Sequence, residues 1–184
     1  MARAMIIRAA TPADAEALAR IYGHHVLHGL GTFEEVPPSP ADMEARRAAV
    51  VAHGLPYLVA EDRPGGVVLG FAYAGPFRPR AAYRYTVEDS VYVAPEAVGQ
   101  GVGRAVLGAA IAACEQAGMR RIVAVIGDSG NAASIGLHRS LGFEPAGMGP
   151  ALGWKFGRWV DIVWMTLPLN GGSNSAADAP GLRL

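Results

Sequence analysis

Three glycines at alternating positions, Gly99, Gly101 and Gly103, follow an apolar run of strand character and precede one of helical character. A helix start leaves its first backbone N–H groups without acceptors, and the helix dipole adds positive potential there. Glycines in front of such a start let an anion reach the backbone with no Cβ in the way. The chemistry on offer is capture of a phosphate or pyrophosphate by several converging N–H groups, since the dipole alone contributes only about 0.3–1 kcal/mol at an exposed site. A tight strand-to-helix turn that merely needs glycine is the plainer alternative. A Walker A loop is excluded because no Gly-Lys-Ser/Thr follows. A dinucleotide fingerprint fits poorly. Val106 stands where the third glycine belongs, Pro95 separates the strand from the glycines, and too little chain remains for a doubly wound sheet.

Other constellations carry less. Gly127-Asp-Ser-Gly130 has the look of a serine-protease tetrapeptide, but it links an apolar strand to a helix. His24, His25 and His28 include an i, i+4 pair, yet no Glu or Cys completes a metal site in sequence. They read as exposed histidines at a helix end, and no metal is expected. Cys114 lies inside an apolar helix, where a buried thiol is a poor nucleophile.

The glycine turn must be held by strands and helices that the periodicity lays out in alternation. Met5–Ile7 reads as a short strand, and Thr11 to about Leu27 as a helix with Thr11 as cap, Pro12 at its first position and Asp14 in its first turn. Ser39 caps a second helix that runs to about His53. Tyr57–Glu61 and Val67–Ala74, parted by a Pro-Gly-Gly turn, form a hairpin. Thr86–Val93 is a strand whose alternation sets Val87, Asp89, Val91 and Val93 on one face and Glu88, Ser90 and Tyr92 on the other. An aspartate on a valine face predicts a bulge near Asp89. Gly101–Ala117 is a buried helix, Arg121–Ile126 a strand, and Asn131–Leu141 a helix. Phe143–Leu152 and Trp159–Leu167 close the fold as a hairpin. The order β α α β β β α β α β β predicts an α/β (α+β) fold with a mixed sheet flanked by helices, one domain over residues 1–169, and a disordered tail over 170–184.

Composition narrows the function from the other side. Of 184 residues, 51% are hydrophobic and 17% charged, which supplies a core and excludes global disorder. Sixteen Lys+Arg against sixteen Asp+Glu leave a net charge of +0, so neither nucleic-acid binding by counterion release nor a polybasic membrane patch is expected. One cysteine excludes an internal disulfide framework, and no apolar run approaches the roughly 20 residues of a membrane span. A cytoplasmic protein is the expectation.

The loop Gly99-Gln-Gly-Val-Gly-Arg104 after Val91-Tyr-Val-x-Pro95 resembles the acyl-CoA pyrophosphate loop of the GNAT N-acetyltransferase superfamily, over roughly residues 5–168. Asn131-x-x-Ser134-x-x-Leu137-His138-x-x-Leu141-Gly-Phe143 is similar to that superfamily's cofactor-contacting helix and following strand. Ala72-Tyr-Ala-Gly-Pro-Phe77, Arg80, Ala82-Tyr83, Thr86-Val-Glu88 and Gly153-x-Lys155-x-Gly157-x-Trp159 resemble the phosphinothricin and methionine sulfone/sulfoximine acetyltransferase branch. Val98 departs from the Arg or Gln usual at the opening of the loop, which removes one phosphate contact.

The resemblance implies a mostly antiparallel, twisted GNAT sheet and transfer of acetyl from acetyl-CoA to the primary amine of a small amino acid. It implies cofactor contacts at Val91, Tyr92, Val93, Gly99, Gln100, Gly101, Val102, Gly103, Arg104, Asn131 and Ser134. If the amine's pKa were lysine-like, keeping it neutral at pH 7 would cost about 4–5 kcal/mol, so a general base is worth having. Glu88 is the candidate, although periodicity alone would make it a solvated or ion-paired strand residue. His138 stands where much of the superfamily has a tyrosine; it is either an acid toward the CoA thiolate or a buried histidine bonded to Ser134. Arg80, with Arg78 and Arg84 behind it, would fork a substrate carboxylate, and Phe33 and Tyr83 would wall the pocket. Trp154, Trp159 and Trp164 are assigned to core or dimer-interface packing, and a homodimer is the family-level expectation. A catalytically idle acyl-CoA-binding module, or a transferase acting on an aminoglycoside or peptide N-terminus, are the alternatives.

Overall fold

The computed structural model describes residues 5–184. Seven strands form one sheet, β1 (Ile6–Ala9), β2 (Tyr57–Glu61), β3 (Val68–Pro76), β4 (Thr86–Val93), β5 (Arg121–Gly127), β6 (Glu144–Lys155) and β7 (Arg158–Pro168). Their order across the sheet is β1-β2-β3-β4-β5-β7-β6, antiparallel throughout except for the parallel pair β4–β5. The helices are α1 (Ala15–His28), α2 (Pro40–Ala52), α3 (Val102–Gln116) and α4 (Ala132–Ser140). The mixed sheet and element order read from the periodicity are therefore present, and the sheet is mostly antiparallel as the resemblance implies.

Local chemistry sets the helix starts. Ser39 Oγ accepts from Asp42 N at 3.2 Å while Asp42 Oδ2 accepts from Ser39 N at 2.9 Å, a reciprocal cap with Pro40 inside it. Thr11 N donates to Asp14 Oδ2 at 2.7 Å, but Pro12–Asp14 winds as a 3-10 turn, so α1 begins at Ala15 rather than Thr11. Arg8 grips Asp14 through two 2.8 Å bonds and reaches Glu61 at 3.0 Å, locking β1 and β2 to the start of α1. The Arg8 guanidinium holds the Asp14 carboxyl below the usual carboxylate range.

Strand alternation sorts the helices onto opposite faces. A Cβ on Gly70 would meet Val102 of α3 at 2.9 Å, so α3 packs tightly on that face. The neighbouring Phe71 and its cross-strand partner Tyr92 turn the other way, where the Tyr92 ring meets Tyr22 of α1 edge-on at 4.8 Å.

One expectation is corrected. No register shift interrupts β3–β4 at Asp89, because that side chain finds a partner instead of being turned out by a bulge. Residues 170–184 are mostly exposed but touch the rest of the chain: Arg120 donates to Gly172 O and Ser175 O, Tyr85 Oη to Ala179 O, and Leu182 is buried. Backbone carbonyls and one leucine hold this segment, and apolar periodicity does not register such contacts. Of the tryptophans assigned to core or dimer-interface packing, Trp154 and Trp159 are exposed on the β6–β7 hairpin. Among the described residues no helix is long and apolar enough to cross a membrane.

Candidate active site

The site exists because β4 and β5 part company. They pair from Thr86↔Arg121 to Asp89↔Ala124; beyond that β4 continues along β3, and β5 along β7. A cleft of about 710 Å³ opens between the diverging ends, lined by Val91, Tyr92 and Val93 on one side and Val125, Ile126 and Gly127 on the other. Ala94 N donates to Leu69 O at 2.8 Å, which fixes the phase of the antiparallel ladder. In that phase the N–H groups of Val91 and Val93 point away from β3, toward the gap. Val93 O accepts from His25 Nε2 at 2.8 Å, so a helix side chain serves the strand end that β5 has left. Burial pushes the His25 imidazolium down in pKa against the pull of that carbonyl, which keeps the ring neutral. His25 is thus half-buried in the cleft wall, unlike the exposed His24 and His28, and the expected exposed trio holds only for those two.

At one end of the cleft lies the glycine turn. Gly99 and Gly101 have φ of 77° and 81°, a region costly to residues with a Cβ, and a Cβ on either would meet nothing within 4 Å. The first intrahelical bond of α3 runs from Ala105 N to Gly101 O at 3.1 Å. The N–H groups of Val102, Gly103 and Arg104 therefore precede the helical ladder and face an open, Cβ-free approach. Gly103 has a different reason: a Cβ there would press Leu137 of α4 at 3.2 Å. The Arg104 guanidinium bonds Ser140 O and Oγ, tying α3 to α4. Gln100 turns back to Glu96 O at 2.8 Å and lies outside the cleft lining. Val98 sits at the mouth, 64% exposed.

Asn131 caps α4, its Oδ1 accepting from Ser134 N at 3.1 Å, and both residues line the cleft. His138, one turn on, is 3% exposed. Its Nδ1 lies 2.7 Å from Ser134 O and its Nε2 3.0 Å from Asp89 Oδ2. Burial pushes the imidazolium down in pKa, but Asp89, with the Ser134 carbonyl, more than offsets this and the pKa is raised. Asp89 is the partner that the sequence pattern flagged only as an oddity on a valine face.

Glu88 faces the opposite side of β4 from Asp89 and also lines the cleft. Burial raises its pKa; Arg78 at 3.8 Å opposes the shift, and Asp89 adds to it. Phe33 reaches the cleft from the loop after α1. Arg80 and Tyr83 do not: Arg80 is exposed outside the lining, and Tyr83 packs edge-on against Phe77. Both belong to the exposed segment at the turn Ala81–Tyr83, and Arg78 is the arginine of that segment that approaches Glu88.

A cleft with unclaimed N–H groups at one end and a half-buried carboxyl further along suits an acyl-CoA-dependent transferase. Residues 24–143 match the acetyltransferase (GNAT) family, and the chain belongs to that family as an acetyl-CoA-dependent N-acetyltransferase. It is 52% identical over 172 residues to a phosphinothricin N-acetyltransferase of Alcaligenes faecalis, covering 94% of this chain and 86% of the relative. It is 44% identical over 164 residues to an L-methionine sulfoximine/L-methionine sulfone acetyltransferase of Pseudomonas paraeruginosa, covering 89% and 94%. A phosphinothricin acetyltransferase from Sinorhizobium meliloti, solved with acetyl-CoA, superposes with a TM-score of 0.91 at 42% identity, over 98% of this chain and 96% of that one.

Proposed function

We propose that this enzyme acetylates the primary amine of a small amino acid whose side chain ends in a tetrahedral sulfur or phosphorus group, of the phosphinothricin, methionine sulfone or methionine sulfoximine type. The observation that carries the reading is the opening of the Glu88 carboxyl and the N–H groups at the start of α3 onto one cleft. Acetyl-CoA supplies an activated acetyl thioester there. Gly99 and Gly101, with the N–H groups of Val102, Gly103 and Arg104, hold its pyrophosphate, and Asn131 and Ser134 flank its arm. The N–H groups of Val91 and Val93 donate to the acyl oxygen as charge builds on it.

Glu88 takes the ammonium proton, directly or through a water, and frees the lone pair that attacks the thioester carbon. As the N–C bond forms the C–S bond breaks, and the CoA thiolate leaves to be protonated from solvent at the cleft mouth. Its burial makes it a stronger base than an exposed glutamate. His138 has both ring nitrogens engaged, so its part is to position β4 and α4 rather than to protonate the leaving thiolate. Phe33 walls the acceptor side, and Arg78, outside the cleft lining but 3.8 Å from Glu88, is the cation offered to a substrate carboxylate. The acceptor class is supported by the names of the relatives.

A homodimer goes with this reading. Met148, Leu152, Trp154, Phe156 and Trp159 are each more than half exposed on the β6–β7 hairpin, whose β6 is the last strand of the sheet. A cytoplasmic location accords with a single free, buried cysteine. The test is a screen of amines with acetyl-CoA, scored by release of CoA thiol. Turnover with methionine sulfone or phosphinothricin, lost in Glu88→Gln, supports the proposal. Tight acetyl-CoA binding with no amine accepted would make the chain a binding module, and turnover only with an aminoglycoside or peptide amine would overturn the acceptor class.

A further inference from the structure

The loop from Gly29 to Phe33 forms a wall of the cleft without belonging to any helix or strand. Its position is held from a distance. Lys155, at the end of β6, is 1% exposed, and its Nζ donates to Gly29 O at 2.9 Å and Thr32 O at 2.8 Å. Neither partner is a carboxylate; burial pushes the ammonium down in pKa, with Glu35 and Glu34 only opposing through space. A buried cation spent on two carbonyls of one loop costs solvation that a neutral residue would not. Its structural return is the shape of that loop.

Two residues away on the same face of β6, a Cβ on Gly153 would run into the Phe33 ring. At the end of β5, a Cβ on Gly127 would run into Leu30 O. On its far side the loop continues to Glu34, which accepts from Arg46 at 2.7 and 3.1 Å and from Tyr22 Oη at 2.9 Å. The wall is pinned at both ends, with the Phe33 ring in between.

We infer that Lys155 is a positioning residue for the acceptor: it fixes the Gly29–Phe33 loop, and Gly153 provides the space into which the Phe33 ring settles. The inference rests on the transferase reading above. In Lys155→Met, which keeps the apolar stem and removes the donors, KM for the amine rises roughly tenfold while kcat and the Kd for acetyl-CoA change far less. Gly153→Ala, which leaves Lys155 intact and displaces the ring, raises the same KM and reorders acceptors of different side-chain length.

A second readout needs no turnover. Chymotryptic cutting after Phe33 of the folded full-length chain, followed by fragment mass, accelerates roughly tenfold in Lys155→Met because the open loop is more populated. A lowered Tm with unchanged KM and unchanged cutting at Phe33 would make Lys155 merely structural and overturn the inference. Should Lys155→Met fail to fold, Gly153→Ala decides, and an unchanged KM and acceptor ranking in it overturns the inference equally. If the wild type accepts no amine at all, the transferase reading fails, while the cutting rates still judge the loop.

Discussion

His138 Nε2 stands 3.0 Å from Asp89 Oδ2, joining α4 to β4 at the last residue of β4 that still pairs with β5. Both side chains are almost wholly shut off from solvent. The other ring nitrogen faces Ser134 O, so the ring lies between two acceptors, an arrangement that favours its protonated form. Asp89 Oδ1 meets no donor among the described residues, which leaves the pair under-satisfied and therefore sensitive to loss of either member.

Because the folded pKa of His138 lies above its unfolded value, its contribution to stability is complete below about pH 6.5 and is lost as pH rises through the folded value. Urea unfolding from about pH 6 to about pH 9 should show the wild type weakening with rising pH, and Asp89→Asn should flatten that slope. His138→Ala strands the carboxylate and should cost about 3–5 kcal/mol. A wild-type slope that persists in Asp89→Asn would assign it to other groups.

Glu88 gives the opposite sign in a different measurement. Burial raises its pKa, so the deprotonated base is lost at a higher pH than for an exposed glutamate. Plotted against pH, kcat/KM should fall on the acid side with an apparent pKa above the ordinary glutamate value. Glu88→Gln should lose that limb together with roughly 10²-fold or more of the rate. A full-rate Glu88→Gln variant would move the base elsewhere.

The parts legible in sequence are those written within a few residues of one another. The glycine turn, the Ser39 cap, the element order and the placing of Glu88 on the face of β4 opposite the valines all come from short-range pattern. The parts hidden were long-range pairings. Asp89 and His138 lie 49 positions apart, His25 and Val93 68, and Lys155 and Gly29 126. Asp89 is the instructive case: its misfit on a valine face was visible, but a bulge and a buried partner are equally good answers until α4 is placed. Arg80 sits exposed at the start of the turn Ala81–Tyr83, outside the cleft lining, a placement that no short-range pattern carries. The contacts of residues 170–184 are not legible in sequence because side chains bonding backbone carbonyls leave no periodic trace.

Within the glycine turn two substitutions should act in opposite directions. Gly101→Ala forces a Cβ onto φ of 81° and costs about 1–2 kcal/mol of local geometry, so acetyl-CoA should bind roughly tenfold more weakly. Val98→Arg places a guanidinium at the exposed mouth of the cleft and should tighten binding roughly 2–5-fold at low salt, an advantage erased at high ionic strength. Calorimetry at two salt concentrations checks both. A salt-independent gain in Val98→Arg would mean that the new side chain acts by packing and not on phosphate.

The exposed aromatics at the far edge of the sheet make the last prediction. Trp154 and Trp159 face one another across the β6–β7 hairpin with ring centroids 5.1 Å apart, 56% and 64% exposed. Tryptophans this exposed leave large apolar area in water, and a lone monomer gains nothing from keeping Met148, Leu152 and Phe156 beside them. Covering the patch with a second copy removes that cost and also shields β6, the sheet's outer strand. Trp159→Glu puts a charge where such an interface would have to be dry. Sedimentation should then show a dimer for the wild type and a monomer for the variant, with Trp fluorescence moving to longer wavelength. A wild type that sediments as a monomer at high concentration would remove the homodimer and leave the patch without an occupant.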